Sequence, residues 1–316
     1  MAIRVRGVSA ILNRDLSAAA SHEIRDVGRP LLQTIVDEGI RIFERCNATA
    51  RGHDEHAGLL FPYLRTIQLL DGVEVALDGS SGTAAAVLLR SAFEGLMAVE
   101  WVARDTSLRY GAAYVVAHAN RRILDLSRFQ RGHHAHAELS AAIAADEYGR
   151  RVRLPEEPDI QRRIQSLEML LKKPWLTEAQ AEYTRLRATR RGQVPFFSLW
   201  NGPTSLEQVA RALGFAGHYA LYYRAWARAA HVEDAVELLG TADGQRAIRV
   251  FRATDDIQQG YGMGAYFGLR AMRTLLGVYR QEELDSGFRI WFARDVQERY
   301  HQIAVSLNDS SANGPR

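Results

Sequence analysis

The chain has 316 residues, 47% hydrophobic and 24% charged, with 40 Lys or Arg against 37 Asp or Glu and a formal net charge of +3. That is enough apolar material to bury a core, in one large domain or two small ones, and it excludes a disordered or fibrous chain. Cys46 is the single cysteine, which excludes an intramolecular disulfide framework and a cysteine metal cage.

Near the start, Arg4, Arg6 and Arg14 interrupt any secretory apolar region, and no apolar run reaches the ~20 residues of a bilayer span. The expectation is a soluble cytoplasmic protein that does not associate with membranes. From 15 to 48, Leu31, Leu32, Ile35, Val36, Ile40, Ile42 and Phe43 recur at helical spacing, and Pro30 predicts a break or a new start, hence two helices. Residues 53–77 carry a broad apolar stripe that includes Leu59, Leu60, Tyr63, Leu64, Ile67, Leu70, Val73 and Leu77. A Gly- and Ser-rich turn at 78–83 closes that helix and caps the next. Residues 84–104 are apolar almost all round and read as a central, buried helix.

A further helix is predicted over 108–130, then a polar loop at 131–136 and shorter helices near 139–148, 160–172 and 178–190. Basic runs at 150–153 and 190–191 flank this stretch, which reads as a basic insert, around 131–200, in a core domain spanning 1–240. Thr204 is placed as an N-cap with Glu207 as its reciprocal partner, opening a helix that stops near Gly214. The next helix is predicted over 216–239. Two more, over 255–279 and 287–306, form a C-terminal hairpin packed on the core as residues 241–306, before a disordered tail at 307–316. Gly260, Gly264 and Gly268, four apart, make a smooth ridge for close helix packing. The fold class is all-α: a helical bundle with long antiparallel helices, any sheet being limited to a short hairpin.

Chemistry concentrates on the predicted helix 216–239. Arg224, Arg228 and His231 leave one stripe of it, since seven residues make roughly two turns. A group that titrates near neutrality beside fixed guanidinium charges suits chemistry on a phosphodiester. Arg90 and Glu94, an i, i+4 pair on the most apolar helix, are expected to be buried together, with Glu94 orienting His231 or an arginine. Metal-like spacings occur at Glu298/His301, at 53–56 and at 133–136, but each reads as a solvated helix face, helix start or loop, so neither metal nor cofactor is expected.

The segment Leu88-Leu89-Arg90-Ser91-Ala92-Phe93-Glu94, a following Arg109-Tyr110, and the run from Tyr219 to His231 resemble the bacterial family catalogued as domain of unknown function 5677. That family has an R-S-x-x-E helix followed at a distance by a Y-x-x-Y-R-x-x-S-x-x-x-H helix, and the likeness covers roughly residues 30–240. Ala227 stands where the family commonly has Ser, and the first tyrosine is displaced by one position, to Tyr219. The resemblance implies a helical fold and no established activity. More distantly, Arg224 with His231 is similar to the R-x(4–6)-H signature of HEPN proteins, which include metal-independent ribonucleases of toxin and antiphage systems, often assembled as homodimers.

The expected function is therefore a HEPN-like, metal-independent RNA endonuclease of toxin or antiphage defence. Arg224 and His231 are its reactive pair, with Arg90, Glu94 and Arg228 in support. RNA, a second copy of the chain and a regulatory protein are the expected partners. A non-catalytic regulatory or scaffold protein with a buried Arg/Glu/His network is the main alternative, and a helical metal-dependent oxidase the third.

Overall fold

In the computed structural model, residues 12, 14–51, 53–105, 107–151, 157–190, 192–231, 239–242, 245–248, 252 and 254–312 are described. The helices are α1 (Arg14–Ala20), α2 (His22–Thr49), α3 (Ala57–Asp78), α4 (Gly82–Val102), α5 (Arg109–Ser127), α6 (His134–Ala145), α7 (Glu157–Leu171), α8 (Thr177–Thr189) and α9 (Leu206–Ala212). Next comes α10, built from Ala216–His218, a π-helical stretch Tyr219–Tyr223 and Arg224–Ala230. A hairpin of β1 (Leu239–Ala242) and β2 (Gln245–Ile248) pairs antiparallel with Leu239 opposite Ile248. The chain closes with α11 (Thr254–Tyr279), α12 (Gln281–Asp285) and α13, the last built from Gly287–Trp291, a π stretch Phe292–Val296 and Gln297–Ala312. The protein is an all-α helical bundle with that one short hairpin.

Two units divide the chain: residues 1–53, 59–104 and 206–316 in the first, 54–58 and 105–205 in the second. The second unit thus contains the stretch 131–200 read as an insert and also takes in α5. The C-terminal helices share the first unit with α2, α3 and α4, and helical structure continues to Ala312, into the stretch read as a tail. Residues 313–316 lie outside the described residues.

In the first unit, α2, α3, α4 and α11 enclose the main core. Leu31, Leu32, Ile35, Leu70, Val73, Leu77, Phe93, Leu96 and Phe267 are fully buried there. The glycine ridge of α11 works as its spacing predicts. A Cβ on Gly260 would stand 2.7 Å from Leu77, one on Gly268 would stand 2.5 Å from Ile35, and one on Gly264 would touch Leu32. These contacts also set direction. Residue numbers on α2 rise together with those on α11 (Gly28 under Tyr261, Ile35 under Gly268), whereas α3 runs opposite to both (Leu77 at Gly260, Ile67 at Gly39). α2 and α3, neighbours in sequence, are antiparallel; α11 returns parallel to α2. At the C-terminal hairpin, Gln258 near the start of α11 donates to the Ile303 carbonyl near the end of α13 at 3.0 Å.

Pro30 does not end a helix: it lies inside α2, as Pro62 lies inside α3. The break falls at Ser21, whose hydroxyl donates to the Ser17 carbonyl at 2.8 Å and lies 3.0 Å from the Ser80 hydroxyl. Burial of Leu31, Leu32 and Ile35, the last two against α11, outweighs the cost of one missing backbone donor. By length and composition α4 alone among the described helices could cross a bilayer, and half of that apolar window is buried inside the bundle.

The second unit packs α7, α8 and the 3-10 turn Phe196–Asn201 around α5. One cluster joins Ala112, Ala113 and Val116 of α5 to Leu176, Ala179, Leu186, Val194 and Leu199, and a smaller one joins Leu126 to Ile160 and Ile164.

Candidate functional site

On α4, Arg90 and Glu94 face each other one turn apart with an N–O distance of 3.3 Å. Tyr223, from the π stretch of α10, completes the group. Its phenol donates to Glu94 Oε1 at 2.8 Å and accepts from Arg90 Nη2 at 3.4 Å, while the Arg90 guanidinium lies 5.5 Å from the centre of its ring. Burial and the adjacent Glu94 carboxylate push the Tyr223 phenol up to about 12, against the opposing pull of Arg90, so it stays a hydrogen-bond donor at neutral pH. Arg90 Nε is buried with no hydrogen-bond partner.

The pair is less buried than its apolar helix suggests. The Arg90 side chain is 26% exposed and that of Glu94 43%, because both lie at the edge of the α4 surface that α10 covers. Glu94 does not pair with His231; its partners are Arg90 and Tyr223.

The helix bearing Arg224 does pack on the helix bearing Arg90. Trp226 is buried there, edge-on to Phe267 of α11 with centroids 6.0 Å apart, and Tyr223 lies 5.5 Å from Phe93 of α4. A π turn closes its hydrogen bond over one more residue than an α turn does, which rotates the downstream part of a helix relative to the upstream part, and such turns gather at functional sites. Here the turn begins at Tyr219, which stacks on Tyr223 at 4.9 Å with planes inclined by 20°.

Arg224 lies against the first of these rings. Its guanidinium stands 5.5 Å from the centre of Tyr219 and forms an ion pair of 3.1 Å with Glu207 of α9. Glu207 also pairs with Arg211 at 3.3 Å, so its carboxylate serves two arginines. Arg90 thus meets Tyr223 and Arg224 meets Tyr219, the two rings stack on each other, and each guanidinium pairs with a carboxylate.

The predicted stripe exists and faces solvent. Leu221, Arg224, Arg228 and His231 are exposed, at spacings of three, four and three residues along α10. The helix ends sooner than predicted, at Ala230, and His231 is its C-cap, with its own N–H shared between the Ala227 and Arg228 carbonyls. Residues 232–238, within the predicted helix 216–239, lie outside the described residues. At 1.5 Å per residue, Arg224 and His231 are about 10 Å apart along the axis, whereas Arg228 is one turn from His231.

The model of the family of unknown function DUF5677 matches residues 56–246. The chain belongs to this family. Both motif segments of DUF5677, on α4 and α10, lie within the matched span, and in the fold they meet at Glu94 and Tyr223. No curated protein and no solved structure matches the chain.

Sequence reasoning missed Tyr223, Tyr219 and Glu207 as members of the site. The i, i+4 repeat of Tyr219 and Tyr223 beside Arg224 is a signal that could have found the first two. Nothing local marks Glu207, whose role is a contact across 17 positions. Among the described residues no group of three or more His, Cys, Asp or Glu side chains could hold a metal ion.

Proposed function

We propose that this member of DUF5677 is a metal-independent RNA endonuclease of the HEPN type, acting in the cytoplasm in toxin or antiphage defence. The observation that carries the reading is the exposed stripe of Arg224, Arg228 and His231, because a histidine that serves catalysis must be open to substrate. In this mechanism His231 takes the proton of a ribose 2′-hydroxyl as its oxygen attacks the adjacent phosphorus. The 5′-oxygen leaves, taking a proton from solvent water, and a 2′,3′-cyclic phosphate remains. Arg228, one turn away, and Arg224, once drawn from Glu207, offset the charge that builds on the phosphoryl oxygens. The group of Arg90, Glu94 and Tyr223 braces α10 against α4 and supports the stripe without touching the scissile phosphate. A second copy of the chain and a restraining regulatory protein are the partners proposed with it.

The buried-network reading keeps one observation in its favour, the mutual pairing of Arg90, Glu94 and Tyr223. The deciding experiment incubates the protein with structured and unstructured RNA in the presence of a chelator. Cleavage leaving 2′,3′-cyclic phosphate ends, and lost in His231→Ala and Arg224→Ala proteins of unchanged circular dichroism, supports the nuclease. Activity that persists in His231→Ala, acts on DNA or requires a divalent metal refutes it.

A further inference from the structure

The second unit carries a surface that the cleavage reading does not use. On α5, the rings of Tyr114 and His118 lie against each other one turn apart, with centroids separated by 4.2 Å and planes inclined by 44°. Phe196 closes on both, edge-on to Tyr114 at 5.1 Å and 6.3 Å from His118. Tyr114 and Phe196 are half-buried, and His118 is exposed.

One turn further along α5, Arg121 donates to the side-chain oxygen of Gln193, and Arg187 of α8 donates to the carbonyl of the adjacent Gly192. Two exposed guanidinium groups from separate helices therefore converge on one short loop. Their acceptors there are neutral, and the carboxylate of Asp125 stands 4.0 Å from Arg121 Nε. The contrast with the first unit is direct: Arg45 is held by Glu38 and Glu283, and Arg270 by Glu100. An arginine bonded to an amide or a carbonyl keeps its charge, and among the described residues Arg121 is offset only by that one long ion pair with Asp125. The loop itself is open, with nothing within 4 Å of the position a Cβ on Gly192 would take.

Aromatic faces beside exposed guanidinium groups are the equipment of single-strand recognition, since every base has a face to stack and every nucleotide a phosphate. An acidic peptide would use the arginines and leave the rings idle. We propose that this face of the second unit binds single-stranded nucleic acid without sequence preference, an unpaired base stacking on His118 and backbone phosphates lying on Arg121 and Arg187. The site is independent of the stripe on α10 and goes beyond the cleavage reading.

The test measures fluorescence anisotropy of labelled oligo-uridine and oligo-deoxythymidine, about 12 nucleotides long to cover a single-strand site, over a range of salt concentrations. The full chain should bind both. The double substitution Arg121→Gln with Arg187→Gln should weaken binding about 10-fold and lower the slope of log affinity against log salt by about 1.4, two phosphate contacts at roughly 0.7 each. His118→Ala should weaken binding about 10-fold by loss of stacking and leave that slope unchanged. All three side chains are exposed, so thermal melts should match the parent protein. Failure of the full chain to bind either strand, equal affinity of variants and parent, or equal competition by poly-glutamate would each overturn the proposal. Binding without cleavage would remove the nuclease reading alone, and cleavage unaffected by the Arg121 and Arg187 changes with binding also unaffected would remove this one alone.

Discussion

Tyr223 donates its phenol hydrogen to Glu94 at 2.8 Å, across 129 positions of sequence, and so joins the two motif segments of DUF5677. Removing that hydroxyl tests the joint with little loss of volume. Tyr223→Phe should lower stability by about 1 kcal/mol, the net value of a typical hydrogen bond. Glu94→Ala should cost a similar amount, well below the ~3–5 kcal/mol of a fully buried pair, because both partners retain access to water. Urea denaturation of the two variants measures both, and a loss above about 3 kcal/mol for Glu94→Ala would show that Arg90 depends on it alone.

A second ion pair should behave asymmetrically. The Glu100 side chain is 9% exposed and accepts from Arg270 at 2.5 Å and Thr274 at 2.7 Å, while the Arg270 side chain is 42% exposed. Arg270→Met leaves a carboxylate inside the bundle with a hydroxyl for company and should cost about 3–5 kcal/mol. Glu100→Gln leaves an arginine that can turn to solvent and should cost less than half as much. Equal losses in the two proteins would contradict this account.

The glycines separate packing from propensity. Gly268→Ala places a methyl group 2.5 Å from Ile35 and 3.1 Å from Leu70 and should destabilise by about 1–3 kcal/mol despite the better helix former. Nothing lies within 4 Å of a Cβ on Gly217, also helical, so Gly217→Ala should stabilise by roughly 0.5–1 kcal/mol. Melting temperatures that move in the same direction would be the contrary result.

The acid limb of stability should carry the mark of Glu283. Burial by itself would raise its pKa, but hydrogen bonds from Arg45 at 2.6 Å and Arg280 at 2.5 Å overcome that and hold it below the ordinary value. A carboxylate whose folded pKa is depressed contributes stability above its unfolded pKa of about 4.3 and loses it as pH falls through the folded value. The parent protein should therefore weaken more steeply than Glu283→Gln on going from neutral pH to below 4, and their urea midpoints should converge there. A constant difference between them across that range would rule the contribution out.

Much of this architecture was legible in side-chain spacing. A helix apolar all round, 84–104, is α4 at the centre of the bundle, and three glycines four apart mark where α11 meets Leu77, Leu32 and Ile35. Pro30 misled because a proline costs a local bond while Leu31, Leu32 and Ile35 gain a buried interface, a balance that no short window contains. The solvent-facing stripe of Arg224, Arg228 and His231 was also readable, since α-helical spacing holds from Arg224 onward. The turn before it was not. A π turn at Tyr219–Tyr223 differs from an α turn by one residue, and nothing in the local pattern pairs Glu207 with Arg224, 17 positions away.

The parallel course of α11 along α2 bears on synthesis. At ribosomal rates of about 5–20 residues per second, roughly 10–30 s separate the emergence of α4 from that of α11. The second unit has its own apolar clusters and can close in that interval. Leu32, Ile35, Leu70 and Leu77, meanwhile, have not yet met the glycine ridge that covers them. A nascent chain of this protein therefore carries an exposed apolar seam while its inserted unit is already folded, which makes it a client for chaperones during that window and makes any product truncated before Thr254 prone to aggregate.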